Sequence, residues 1–343
     1  MSIIKRLINI FLNLLPYKFL IKNYPKLKNT KLCDCVNSVL YKRFFKESKL
    51  ITDFDNYIKK IANSEKYYVI KAGIWNYKIC NFCFLKDMLS IIIWCLECGY
   101  KPVIDILPDS DYYTEKCNLW ELYFYQPFRT ELNNIDMTKT KICPIKEYAV
   151  KIKMCDAFDD LKTRIWHRFF ENLIVAKKST QQYFDKEYDE IIKNKKVIGC
   201  VVRGTDYTKL KPKGHPKQPE IDELVDKLNE YLEKYSYDYI YLATEEKRIA
   251  DAIKERFPGK VLENKRNYFD EKYFSDKNSD MISKVQFDRD NDDYLKMLEY
   301  MSSINLVSKC DSLVSGLCGG SEIAIYWNGL NYNEKYVFDK GVY

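Results

Sequence analysis

Glycine and proline are scarce, with 11 and 10 residues in a chain of 343. That scarcity excludes collagen-like, mucin-like and flexible-linker segments, and no stretch repeats itself. No apolar run approaches the roughly 18 to 20 residues that a membrane-spanning helix requires. No small-residue cleavage site follows the apolar N-terminal stretch, which argues against a cleaved signal peptide. Zinc-finger, RRM and KH signatures are missing as well. Charge has no block either: 56 basic and 49 acidic residues leave +7, read as a diffuse excess. Such an excess suits anionic headgroups or a charged pyrophosphate as well as a polynucleotide, so nucleic acid is weakly supported.

What is present is globular. The chain is 46% hydrophobic and 31% charged, enough material for two domains with sizeable cores. Of its 12 cysteines, Cys33, Cys80, Cys83, Cys95, Cys98 and Cys318 lie in apolar runs, which predicts buried reduced thiols in a cytosolic protein. Cys80-x-x-Cys83 and Cys95-x-x-Cys98 mimic zinc-ligand spacing. They fall in one apolar helix without the turns that a tetrahedral site uses, so burial is the better reading. Over Met1 to Phe19, Ile4, Leu7, Ile8, Phe11, Leu14 and Leu15 recur at helical spacing with Lys5 and Arg6 between them. This predicts a helix with one apolar face, suited either to a membrane interface or to a groove on its own protein.

From Tyr67 the pattern reads as a βαβ unit: a strand to Lys71, a turn over 72–77, a helix over 78–98 and a strand from Pro102 to Leu107. Residues 118–195 read mainly as helices with connectors. Strands and helices then alternate from Lys196: strands over 196–202, 239–243, 260–262 and 312–315, helices over 220–234, 246–257, 292–308 and 321–327. Such alternation implies a parallel sheet whose ligand sits beyond the carboxyl ends of the strands. Those ends hold this sequence's unusual residues.

The clearest is Cys200-Val-Val-Arg-Gly-Thr-Asp-Tyr207, where an apolar strand runs directly into charge. A buried strand end is a costly place for charge without a ligand or partner. Arg203 has the planar fork of donors that suits a pyrophosphate, and Asp206 can pair with it or orient the loop. A structural ion pair between the two is an even alternative. At the next strand end, Ala243-Thr-Glu-Glu246 offers a hydroxyl and two carboxylates to a purine's N–H groups, or an N-cap at Thr244 with acids in the first helical turn. The third is Ser312-Leu-Val-Ser-Gly-Leu-Cys-Gly-Gly-Ser321, where small residues allow close backbone approach and a helix N-terminus can meet a phosphate. Asp109-Ser-Asp111 reads as a solvent-facing turn, His167 as packed among aromatic residues, and the loop around His215 as either a lid or a solvated connector.

In this order the three segments resemble the donor-binding domain of the α1,6-, α1,2- and protein O-fucosyltransferases, over about residues 196 to 328. The likeness lies in Val201-Val-Arg-Gly-Thr-Asp206, Ala243-Thr-Glu-Glu246 and Lys309-Cys-Asp-Ser-Leu-Val-Ser315. Here Val201 stands where that family has histidine and Gly204 where it has a second arginine. Lys71-Ala-Gly-Ile-Trp-Asn76 is similar to the family's first glycine turn at Gly73 and Asn76 only.

The resemblance implies an α/β, GT-B-like architecture of two Rossmann-type domains facing across a cleft, residues 1–195 on the acceptor side and 196–343 on the nucleotide-sugar side. Arg203 and Asp206 are the expected catalytic residues. Arg203, Gly204, Thr205, Thr244, Glu245, Ser315, Ser321, Gly73 and Asn76 are the expected donor contacts. The base is unassigned, with Asp206 and Glu220 as candidates. The implied reaction is inverting transfer of fucose from GDP-fucose to a glycan, with no metal and no other cofactor; the N-terminal helix and basic excess point to a surface or lipid-linked acceptor and to a position peripheral to a membrane through residues 1–20, the cysteines to the cytoplasmic side, and the charge pattern to no nucleic acid. A sulfotransferase-like enzyme and a non-catalytic nucleotide- or glycan-binding module are the alternatives.

Overall fold

The computed structural model describes residues 3–72, 82–106, 117–136, 138, 140–144, 150–204, 208, 211–270 and 285–343. Contacts divide the chain into two compact units. The first comprises Met1–Tyr77, Cys83–Lys153 and Phe169–Lys177, the second Lys78–Phe82, Met154–Arg168 and Lys178–Tyr343. Residues 178–195, assigned to the first domain from sequence, group with the second unit.

The N-terminal apolar stretch forms two helices, α1 (Ile3–Leu14) and α2 (Tyr17–Leu27), where the sequence suggests one. Pro16 makes the break: it has no N–H to continue α1, and its fixed φ of −56° places it as the N-cap of α2. Then come α3 (Cys33–Glu47), α4 (Lys49–Thr52) and α5 (Phe54–Ala62). Leu20 and Ile21 of α2 and Val36, Leu40 and Phe44 of α3 are buried, and the two helices pack together.

The first sheet has strand order β2-β1-β3, from β1 (Tyr67–Ala72), β2 (Lys101–Ile106) and β3 (Thr140–Pro144), with β1 parallel to both neighbours. The crossover from β1 to β2 carries α6 (Phe82–Glu97), buried on every side from Met88 to Leu96, as an apolar crossover helix must be. A short α7 (Leu119–Tyr123) follows β2. Strand β3 lies in the stretch read as helices and connectors. With five residues, an internal Lys141 and a terminal Pro144, it has the composition of an edge strand, and among the described residues it pairs with β1.

The second unit contains α8 (Asp160–Leu173, whose last turn belongs to the first), α9 (Lys178–Ile191), β4 (Val197–Val201), α10 (Ile221–Tyr235), β5 (Tyr239–Ala243), α11 (Lys247–Arg256), β6 (Val261–Leu262), α12 (Asp292–Ser308), β7 (Ser312–Gly316), α13 (Gly319–Asn328) and β8 (Glu334–Phe338). Its sheet order is β6-β5-β4-β7-β8, every ladder parallel. The chain steps outward from β4 to β6 and then returns to the other side of β4 with β7. That reversal opens the sheet between β4 and β7, where open α/β sheets bind ligands. Each unit is thus of the α/β, Rossmann-type class expected, and the elements read from sequence after Lys196 are found within about two residues.

Candidate functional site

The carboxyl ends of β4, β5 and β7 bring the three sequence motifs together. Arg203 follows β4 by two residues, and its Nη1 lies 3.4 Å from Oε2 of Glu245, just beyond β5. The Gly204 N–H donates to the other oxygen of Glu245 at 2.9 Å. One carboxylate therefore receives both the guanidinium and the turn that follows it. Gly204 admits no side chain: a Cβ there would stand 1.8 Å from Oε2 and 2.8 Å from Cβ of Glu246. A side chain at this position would therefore have to displace Glu246.

Across the opening between β4 and β7, buried Gln218 joins the two strand ends. Its oxygen accepts from the Arg203 N–H at 3.1 Å and its amide donates to the Leu317 carbonyl at 2.9 Å. It lies against Gly316, where a Cβ would come within 2.2 Å of the same oxygen. Sequence reasoning missed Gln218, since a lone glutamine in a Pro-rich loop carries no periodic signal.

A cavity open to solvent is lined by Arg203, Glu245, Arg266, Phe269, Phe287, Arg289, Lys296, Glu299 and Tyr300, together with Asn267. Four of the lining side chains are cationic and two are carboxylates. Arg266 is aimed by Asn264: Nη1 donates to the Thr244 carbonyl at 2.7 Å, and Nη2 and Nε to Oδ1 of Asn264 at 2.6 and 3.2 Å. Asn264 is itself buried and also accepts from the Tyr241 hydroxyl at 3.0 Å, while its amide donates to Glu187 and to the Glu299 carbonyl. Burial raises the Glu187 carboxyl, against hydrogen bonds from Ser302, Asn264 and Tyr183.

Arg289 is held as a fork on Glu299, at 2.7 and 3.0 Å, and by Nε to Asp292 at 2.7 Å. Lys296 donates to the Val285 carbonyl at 2.7 Å and pairs with Asp292 and Asp293. Burial opposes ionisation of Asp292, but the Phe287 N–H, Arg289 and Lys296 outweigh it and hold its carboxyl below the usual range. Phe287 meets Phe269 with ring centroids 5.2 Å apart. Apolar ring faces beside guanidinium groups suit a planar base with an anionic tail.

The expected donor contacts are placed as follows. Arg203 and Glu245 line the cavity. Thr244 is buried; its hydroxyl accepts weakly from the Glu246 N–H at 3.4 Å, and the N-cap of α11 is Glu246 instead. Ser321 is buried in the capping box of α13, its hydroxyl accepting from the Cys318 N–H and donating to the Cys318 carbonyl, each at 2.9 Å. Ser315 is buried, and among the described residues its hydroxyl has no hydrogen-bond partner. Burial raises the Cys318 thiol, against a hydrogen bond from the Ser321 backbone and the charge of Arg203. Gly320 stands close by: a Cβ there would be 3.2 Å from the Tyr300 hydroxyl.

Thr205, Asp206, Gly73, Asn76, Asp109 and Asp111 lie outside the described residues. Glu220 is exposed and caps α10 in a reciprocal pair with Glu223. The loop around His215 is tied to the chain's last residues: the Gly214 N–H donates to the Tyr343 carbonyl, the Tyr343 N–H to that of His215, and the Lys217 N–H to that of Gly341. His167 bonds the Tyr326 carbonyl through Nδ1 at 2.7 Å and fills the space beside Gly329, whose φ of +66° ends α13. Cys95, Cys200, Cys310 and Cys318 are buried, Cys33 and Cys98 are only partly so, and Cys80 lies outside the described residues. Among the described residues no three His, Cys, Asp or Glu side chains are grouped to hold a metal ion.

No family model and no curated protein matches this chain. Among solved structures it is similar to POFUT1 in complex with GDP, at 8% identity and TM-score 0.46, covering 80% of this chain and 99% of that one. It is similar to the fucosyltransferase NodZ from Bradyrhizobium, at 12% identity and TM-score 0.45, covering 81% and 96%. A mutant FUT1 from Arabidopsis thaliana in complex with GDP aligns at 10% identity and TM-score 0.43, covering 93% and 78%.

Proposed function

We propose that the second unit binds a nucleoside diphosphate sugar and that the chain is a glycosyltransferase, with GDP-fucose as donor and a glycan hydroxyl as acceptor. The observation that carries this reading is the cavity at the strand ends, where Arg203, Arg266 and Arg289 converge beside Phe269, Phe287 and Tyr300. Guanidinium forks match phosphate oxygens, and aromatic faces take a base. Glu245 is positioned to accept from a purine's N–H groups. In the reaction, the acceptor oxygen bonds to the anomeric carbon as the bond from that carbon to the β-phosphate oxygen breaks. The electron pair leaves with GDP, and the acceptor proton passes to a base, for which Asp206 is the candidate. Arg203 stabilises the charge that develops on the departing diphosphate.

Isothermal titration with GDP, UDP, CDP and ADP tests the reading, with GDP expected to bind most tightly. Preference for the adenosine nucleotide would replace it with a sulfotransferase-like enzyme. GDP binding with neither transfer nor hydrolysis of GDP-fucose would leave only a binding module.

A further inference from the structure

Helix α1 turns apolar side chains outward. Ile4, Leu7, Ile10, Phe11 and Leu14 are between 53% and 78% exposed, while Leu12 is 2% exposed. At about 100° per residue the five exposed side chains fall within an arc of about 120°, and Ile8, Leu12 and Leu15 form the adjoining arc. The second arc is the docked one: α1 packs on α3, and Nη1 of Arg43 donates to the Leu15 carbonyl at 2.6 Å. The outward face is therefore displayed by a helix that is already seated.

The charge around it is one-sided. Residues 1–33 hold seven of the 56 basic residues and none of the 49 acidic ones. The remaining 310 residues carry 49 of each sign, so the entire net +7 resides in this segment. The excess read as diffuse is local. Lys18 pairs with Glu97 at 2.7 Å, but Lys5, Arg6, Lys22, Lys26 and Lys31 are exposed.

We propose that α1 is an interfacial anchor that lays its outward face on an anionic lipid surface. Twelve residues span about 18 Å, too short for a hydrocarbon core of about 30 Å. No helix among the described residues is long and apolar enough to cross a membrane. An amphipathic helix of this kind lies in the interface plane, its apolar side among acyl chains and its basic neighbours near headgroups. A second copy of this chain is the poorer occupant, because it would bring two uniformly positive segments together.

Vesicle flotation of the full chain tests the proposal, on phosphatidylcholine alone and with about a third phosphatidylglycerol. Deleting α1 would uncover α3, so the variants alter exposed positions only: Leu7→Ser with Phe11→Ser, and Lys5→Gln with Arg6→Gln. The wild type should bind the anionic vesicles at least tenfold better than the neutral ones, less so at high salt because exposed charges are screened over about 8 Å at physiological ionic strength. The apolar variant should lose binding at least tenfold, and the charge variant should lose the anionic preference. Equal binding to both vesicles by the wild type, or unchanged binding by the apolar variant, overturns the proposal. So does a dimer in size-exclusion chromatography that the apolar variant dissociates while neither protein floats.

Discussion

Arg203 and Glu245 share one carboxylate-guanidinium contact of 3.4 Å, with the Gly204 N–H on the second oxygen. Glu245 is a partner of the Arg203 side chain among the described residues, while Asp206, which the sequence offered as a partner, lies outside them. The pair is poised to be competed for: a diphosphate offers the guanidinium a second anion, while Glu245 keeps the Gly204 N–H. Arg203→Ala is expected to lower turnover about a hundredfold or more, the scale seen when a donor to developing charge is removed. Arg203→Lys should not restore it, because an ammonium lacks the planar fork. Both variants should remain folded, with the Ala variant melting lower because Glu245 loses its guanidinium partner. A destabilised Ala variant whose folded fraction binds GDP and transfers sugar at the wild-type rate would reduce Arg203 to a structural ion pair.

At the scale of an element, α12 supports one wall of the cavity through its first turn. Asp292 accepts from the Phe287 N–H at 3.0 Å and meets Arg289 and Lys296, so the segment bearing Phe287 and Arg289 is tied to the helix N-terminus. Its carboxyl titrates below the ordinary value of about 3.9 in the folded chain. Between the folded and unfolded values the unfolded chain binds more protons, so stability rises with pH through that interval. The contribution is complete above the unfolded value and is lost as pH falls through the folded one. Urea unfolding from about pH 5 downward should show this acid-side slope, and Asp292→Asn should flatten it. An unchanged slope in the variant would mean that the ties around Asp292 contribute nothing to stability. The Arg289 fork on Glu299 is a further constraint on the same wall, and single buried or half-buried pairs of this sort are destabilising when broken from one side.

For the whole molecule, transfer activity is expected to survive EDTA, since Arg203, Arg266, Arg289 and Lys296 line the cavity assigned to the diphosphate. Complete loss restored by manganese would make Asp109-Ser-Asp111 a metal site and overturn the metal-free reading. The alternation of apolar strands with amphipathic helices after Lys196 was legible from sequence because periodicity is a local property. It determined β4, β5 and β7, and with them the chain positions of Arg203, Glu245 and the glycine turn at the carboxyl ends. Composition determined the one-sided charge of the first 33 residues. Tertiary structure alone decided which other groups meet there. Arg266, Phe287, Arg289 and Gln218 come from polar stretches without periodicity, and Asn264, which aims Arg266, reaches Glu187 across 77 residues of chain. Tertiary packing also chose which apolar arc of α1 is covered, since both arcs satisfy helical spacing and only the α3 surface distinguishes them. The physical reason is the same in each case: spacing along a chain encodes which face of an element is apolar, while the partner of that face is set by long-range packing.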